Sequence, residues 1–322
     1  MATRHDDKIL TLLTKKSAKW TRAMDATTEE ASKYMTAVFE DFQKAKRLKL
    51  LAFMDTLALD ENGRIVNVAA NEMRLAGFIQ ELQTLQIETF DPESSFGKWI
   101  DRQYAKAADT GVKKAGDYYK IGEGVKTLPA GYAPPTSELI RGVKDMLFLQ
   151  ITDRNSMDLD LIRQSVMRRI LDPTGTVQSL RMDLLKTGQL EDMLDSAGRR
   201  ITASERADRI ASYEFADLTT KAEEQTVNEI YNDGEEDPEG TFYLWHQVQD
   251  DRKSESHAKR HGKIMSQSAW ETKDFGDGQY GLAPTRPRCR CDNILVRPEW
   301  FSPEVREKLL AGGVVTEAQM AA

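Results

Sequence analysis

Three of the four histidines and both cysteines of the chain fall between Trp245 and Cys291. Residues of these types at close spacing can hold a metal. His257 and His261 are four apart, so on a helix they would share one face. Two neutral imidazoles in that geometry can chelate a divalent ion. Cys289 and Cys291 add two thiolates, which completes a tetrahedral Cys2His2 set suited to zinc. Binding of that kind would be coupled to folding. The competing reading has the same four side chains packing and hydrogen-bonding inside a small domain without metal. The Cys-x-Cys spacing is tighter than the roughly two to four intervening residues common in zinc fingers, and both readings stay open.

A catalytic use of the same block is the second chemistry to weigh. Asp250 and Asp251 with His257 and His261 could form a hydrolytic metal centre, and Cys289 with a histidine could form a nucleophile pair. The sequence supplies no Gly-rich phosphate loop, no nucleophile elbow and no carboxylate-rich cluster of the two-metal kind. A non-enzymatic role is therefore the main expectation, with a metal-dependent nuclease or hydrolase as the alternative. Asp251 and Arg252 are expected to do structural work. A carboxylate here can accept from a backbone amide or pair bidentately with an arginine of Arg286–Arg290. Trp245 and Trp270 are expected in a small core. Arg286, Arg288 and Arg290 suit a DNA or portal contact, or internal pairing with carboxylates. Phosphate binding usually draws on a broader basic patch than this.

The order Trp245-His246, Asp250-Asp251-Arg252, His257, His261-Gly262, Trp270, Arg288-Cys289-Arg290-Cys291 resembles the C-terminal domain of the phage minor head proteins, the phage Mu F-like head morphogenesis family. Upstream, Arg206-Ala207-Asp208-Arg209-Ile210-Ala211 followed by Glu214 resembles the helix that precedes this block in the family. The resemblance covers residues 200–296. Family members often carry a further His or Cys shortly before the final Arg-Cys-Arg-Cys, and Tyr280–Pro287 has neither. What the resemblance implies is a virion component of the phage head, associated with the portal vertex. It would act in head morphogenesis and in DNA packaging or delivery. Its partners would be the portal protein, the major capsid or scaffolding protein, and viral DNA.

Composition sets the outer bounds. The 322 residues are 40% hydrophobic and 30% charged, enough for two domains and at least one sizeable core. A net charge of −7 argues against a general nucleic-acid binder and leaves only local DNA contact. No apolar run approaches the roughly 20 residues of a membrane span. Met1–Asp7 lacks the apolar core of a secretory signal. The expected place is the host cytoplasm during assembly and then the virion, with no membrane partner. A disulfide between cysteines one residue apart would close a strained loop in a reducing compartment, so thiols or metal ligands are expected instead.

The elements that must position the block read as predominantly helical α+β. Leu10, Leu13, Trp20, Met24, Met35, Val38, Phe39 and Phe42 recur at helical spacing over residues 6–59. Thr27-Thr28-Glu29-Glu30 looks like a helix start within that stretch. Asp60–Gly63 reads as a turn and 64–68 as a short strand or extended link. Helices are expected over 69–85 and 96–114, then again over most of 138–232, with a break at Asp172-Pro173-Thr174-Gly175. Thr241–Trp245 and Asn293–Val296 have strand character and should pair to close the His/Cys block. The expected division is an N-terminal helical region 1–115, a loop or linker 116–137, a helical region 138–235, the Mu F-like domain 236–300, and a C-terminal helix with a loose tail 301–322.

Overall fold

The helical periodicity is realised as long helices, and the strand-like runs near the C-terminus as a small antiparallel sheet. The computed structural model describes residues 4–119, 136–189, 193–194, 200–231, 237, 239–247, 255–276, 278–283, 289, 291–316 and 319. Helix α1 (Arg4–Thr56) is followed by α2 (Val68–Phe90), α3 (Ser95–Tyr119), α4 (Thr136–Leu171) and α5 (Val177–Lys186). A short hairpin of β1 (Met193–Leu194) and β2 (Arg200–Ile201) precedes α6 (Ala203–Tyr231). The C-terminal part holds β3 (Phe242–Gln247), α7 (Glu255–Ala258), β4 (Lys263–Ser266), α8 (Gln267–Thr272), β5 (Cys291–Val296), a 3-10 turn (Pro298–Trp300), α9 (Pro303–Leu310) and β6 (Val315–Thr316).

Several expectations are corrected. α1 runs through Thr27-Thr28-Glu29-Glu30 as one 53-residue helix. Thr27 Oγ1 donates to the carbonyl of Ala23 inside the helix instead of capping a new one. Of the two readings of 64–68 the extended link holds, with Ile65 bridged to Leu59 and Arg64 to Thr176, but Val68 already begins α2. Residues 116–119 extend α3 and 136–137 already belong to α4, while 120–135 lie outside the described residues. The tail is not loose at Val315–Thr316, which pairs with β4 as a fourth strand.

Two compact units interleave along the chain. One comprises Met1–Glu30, Gln103–Arg141 and Arg209–Ala322, the other Ala31–Arg102 and Gly142–Asp208. The described residues of the second unit are mainly helical, with the β1–β2 hairpin and two isolated bridges. Its core joins Leu50, Phe53, Met54 and Leu57 of α1 to Leu75, Phe78, Ile79 and Leu82 of α2. Ile162, Val166 and Ile170 of α4 and Leu180 and Leu184 of α5 complete it. The α4–α5 break is fixed by Arg169, whose guanidinium grips Asp183 bidentately at 2.7 and 3.0 Å and also reaches Asp172 at 3.0 Å. Thr176 then starts α5 with a reciprocal capping box to Ser179.

The first unit carries the sheet, in the order β5-β3-β4-β6. All of its pairings are antiparallel. β3 and β5 are buried almost throughout. Antiparallel strands with one wet face alternate apolar and polar residues; here both faces are covered, so the run is nearly continuous. Ile9, Leu13 and Trp20 of α1, Ala115 and Tyr118 of α3 and Val227 of α6 share one core with Phe242–Trp245 and Ile294–Val296.

Candidate functional site

Period-two alternation decides which side chains meet at the sheet. Register pairs Gln247 with Cys291, His246 with Asp292 and Trp245 with Asn293. Directly opposed residues share a face and consecutive residues take opposite faces. Trp245 and Cys291 therefore project to one side, His246 and Asp292 to the other.

On the first side the polar chemistry converges on His257. Its Nδ1 lies 3.1 Å from Cys291 Sγ and 3.7 Å from Cys289 Sγ. Its Nε2 lies 3.0 Å from Gln279 Oε1. An amide oxygen only accepts, so Nε2 donates to it, while Nδ1 faces the two sulfurs. His257 is 1% exposed and Cys289 8%. The Cys289 thiol is held well below the usual thiol range, first by the hydrogen bond from Cys291 and then by His257, while burial pushes the other way. Both cysteines are free thiols. Trp245 meets the His257 ring edge-on at 5.5 Å and packs on Trp270 at 5.3 Å.

The elements hold this geometry by specific bonds. α7 lasts one turn to Ala258, and the turn after it closes at Gly262, whose φ of +73° is the left-handed conformation that glycine adopts without a Cβ penalty. Gly262 N–H then donates to Trp245 O at 2.9 Å, joining the turn to β3. Trp270 Nε1 donates to Tyr243 O at 3.0 Å. Buried Arg260 lies over the Trp245 and Phe275 rings and donates to the Gln279 carbonyl, which pins the loop that carries the Gln279 side chain. Asn293 grips Ala283 at both its N–H and its carbonyl, 3.0 and 2.8 Å.

His261 goes elsewhere. It lies in the turn after α7, where its Nδ1 accepts from Gln247 N–H at 3.0 Å. His257, Cys289 and Cys291 alone form the grouped donor set among the described residues, with ligand atoms within 4.8 Å of one another. Trp245 touches His257 of that set, and Trp270 and Gly262 in turn hold Trp245. Asp250, Asp251, Arg252, Arg286, Arg288 and Arg290 lie outside the described residues.

On the opposite side of the sheet Lys114 of α3 is fully buried between two carboxylates. Its Nζ is 2.5 Å from Asp292 and 2.7 Å from Glu223 of α6, and it donates to Asn293 O at 3.0 Å. Tyr118 O–H donates to Asp292 at 3.0 Å. Burial alone would discharge Lys114, but Asp292 and Glu223 outweigh it and raise its pKa. Glu223 is pushed up to about 7, by burial first; Lys114 pulls it down and Asp292 adds to the rise. Nearby in α6, Glu214 is also raised to about 7, by burial and then Asp217. His246 faces this side as well, 3.2 Å from Ser17 Oγ of α1.

Sequence reasoning missed Gln279, Arg260, Asp292, Lys114 and Glu223. The signal for Asp292 was available, since it follows Cys291 directly and must face away from it. Lys114 and Glu223 are single charged residues in long charged helices, and nothing local marks them as buried.

Residues 176–294 match the family model described as Phage Mu protein F like protein. The matched segment opens at the cap of α5, takes in α6, and ends within β5. No curated protein and no solved structure matches the chain. The match contains every residue of the His/Cys block and reaches upstream of it, in agreement with the resemblance in the Trp245–Cys291 pattern. Over that segment, under half of the chain, the protein is similar to the phage Mu F-like family.

Proposed function

We propose that the chain is a minor head protein that assembles at the portal vertex and acts in head morphogenesis and in DNA packaging or delivery. The observation that carries the reading is the match over 176–294, which takes in α6, the buried strand β3, β4 and the first part of β5. The portal protein and the major capsid or scaffolding protein are the partners that this role requires. DNA contact would fall to the local basic stretch Arg286–Arg290, because the chain as a whole carries −7. Residence is the virion, after assembly in the host cytoplasm. No described helix is long and apolar enough to cross a membrane.

Work by contacts is the reading preferred here; Asp250 and Asp251, the carboxylates that a hydrolytic centre would draw on, lie outside the described residues. A general acid or base for hydrolysis would need to stand within hydrogen-bond reach of the reacting water.

The test is deletion of the coding sequence in the phage that carries it, with heads scored by electron microscopy and packaged DNA by nuclease protection. Complementation with a tagged copy should place label at a single vertex and restore filled heads. Label spread over the whole shell, or normal filled heads in the deletion, would overturn the proposal.

A further inference from the structure

We propose that His257, Cys289 and Cys291 bind one soft divalent cation of the zinc class through Nδ1 and the two Sγ atoms. The site does not depend on the role in the head.

Distance is the first argument. A tetrahedral ion with about 2.3 Å to sulfur and about 2.0 Å to nitrogen sets its donors about 3.5 Å apart. Nδ1 stands 3.1 Å from one sulfur and 3.7 Å from the other. The ion enters with shifts of a few tenths of an ångström, on the order of ordinary side-chain relaxation.

Orientation is the second. Histidine ligands commonly donate their remote ring N–H to an oxygen, which fixes the tautomer and aims the other lone pair at the metal. The 3.0 Å contact from Nε2 to Gln279 Oε1 does this, and Arg260 fixes the Gln279 backbone in turn.

Charge and softness select the ion. Two thiolates and a neutral imidazole cancel a dication, so the buried assembly carries no net charge, which removes most of the cost of burying it. Thiolate and imidazole donors suit zinc, whereas magnesium and calcium take oxygen donors. On binding, two S–H bonds are replaced by two S–metal bonds and two protons leave to solvent. His261 stays outside the set, its Nδ1 already serving Gln247.

The test uses the full chain, purified under reducing conditions, loaded with Zn2+ or Co2+ and desalted. Elemental analysis should find one zinc per chain, and the cobalt form should show near-ultraviolet thiolate-to-metal absorption. Cys289→Ser and Cys291→Ser should each weaken binding by tenfold or more. Gln279→Ala should weaken it by about 10- to 100-fold, the usual range for an outer partner of a ligand. His261→Ala should leave stoichiometry and spectrum unchanged. Wild-type protein that takes up no metal, or a cobalt form without thiolate bands, overturns the proposal even if the serine variants fail to fold. Equal loss of metal in His261→Ala overturns the assignment of ligands.

Discussion

The two faces of the C-terminal sheet solve the same problem with opposite chemistry. One face gathers soft, weakly polar donors around His257, with aromatic rings as walls. The other gathers full charges around Lys114, with two carboxylates sharing one ammonium. Cys291 and Asp292 are neighbours in sequence and belong to different faces. A thiol–imidazole cluster can be neutral and needs no counter-ion to be buried. An ion cluster is costly to bury, and removing one member leaves an uncompensated charge. The comparison teaches that the ionic face should be the more fragile to single substitutions and the soft face the more responsive to added metal.

The largest effect is therefore expected on the ionic face. Lys114→Met leaves Asp292 and Glu223 together without their cation. Loss of a member of a buried pair typically costs about 3–5 kcal/mol, and urea unfolding should show a fall of that size. A fall under about 1 kcal/mol, the range of surface pairs, would erase the contrast between the faces.

On the soft face the largest metal-free effect should come from the backbone. Gly262→Ala places a Cβ at φ +73°, at a cost of roughly 1–2 kcal/mol. Thermal melts of the apo protein would show it, and an unchanged melt would mean that the turn relaxes freely. Smaller still is His261→Ala, which removes the acceptor of Gln247 N–H at a half-buried position. About 1 kcal/mol is the expected loss. A much larger one would give His261 a share in the soft cluster.

The smallest effect at neutral pH belongs to Glu223→Gln, and its signature is a slope. A carboxyl whose folded pKa stands above its unfolded value gives its full stability below the unfolded value. That contribution is lost as pH rises through the folded one. With Glu223 raised from 4.5 to about 7, the wild type should lose stability between those two values, and the variant should lose less. Parallel melting curves for the two proteins from pH 4.5 to 7.5 would show that Glu214 or Glu224, both raised by burial, carries the titration instead.

Much of this architecture was legible in the chain. Helical spacing located α2, α3 and α5 to within a few residues, and Asp172–Gly175 marked the α4–α5 break. The apolar runs at 241–245 and 293–296 did pair. β4 and β6 were not legible, because Lys263–Ser266 and Val315–Thr316 are too short for an alternation to register. The site was legible as a cluster of residue types but not as a ligand set. Helical spacing put His257 and His261 on one face, yet α7 stops at Ala258, so His261 lies in the turn beyond it and the face never forms. Spacing also pointed away from the interleaved units, since contacts such as Lys114 to Asp292 join positions 178 residues apart in number.

The alternation of Cys291 and Asp292 also acts on errors during folding. A slip of β5 by one residue would turn every side chain to the wrong face. It would thrust a carboxylate among the thiols and withdraw one from Lys114. A mispaired β5 would be penalised on both faces at once, so the alternation itself selects the native alignment.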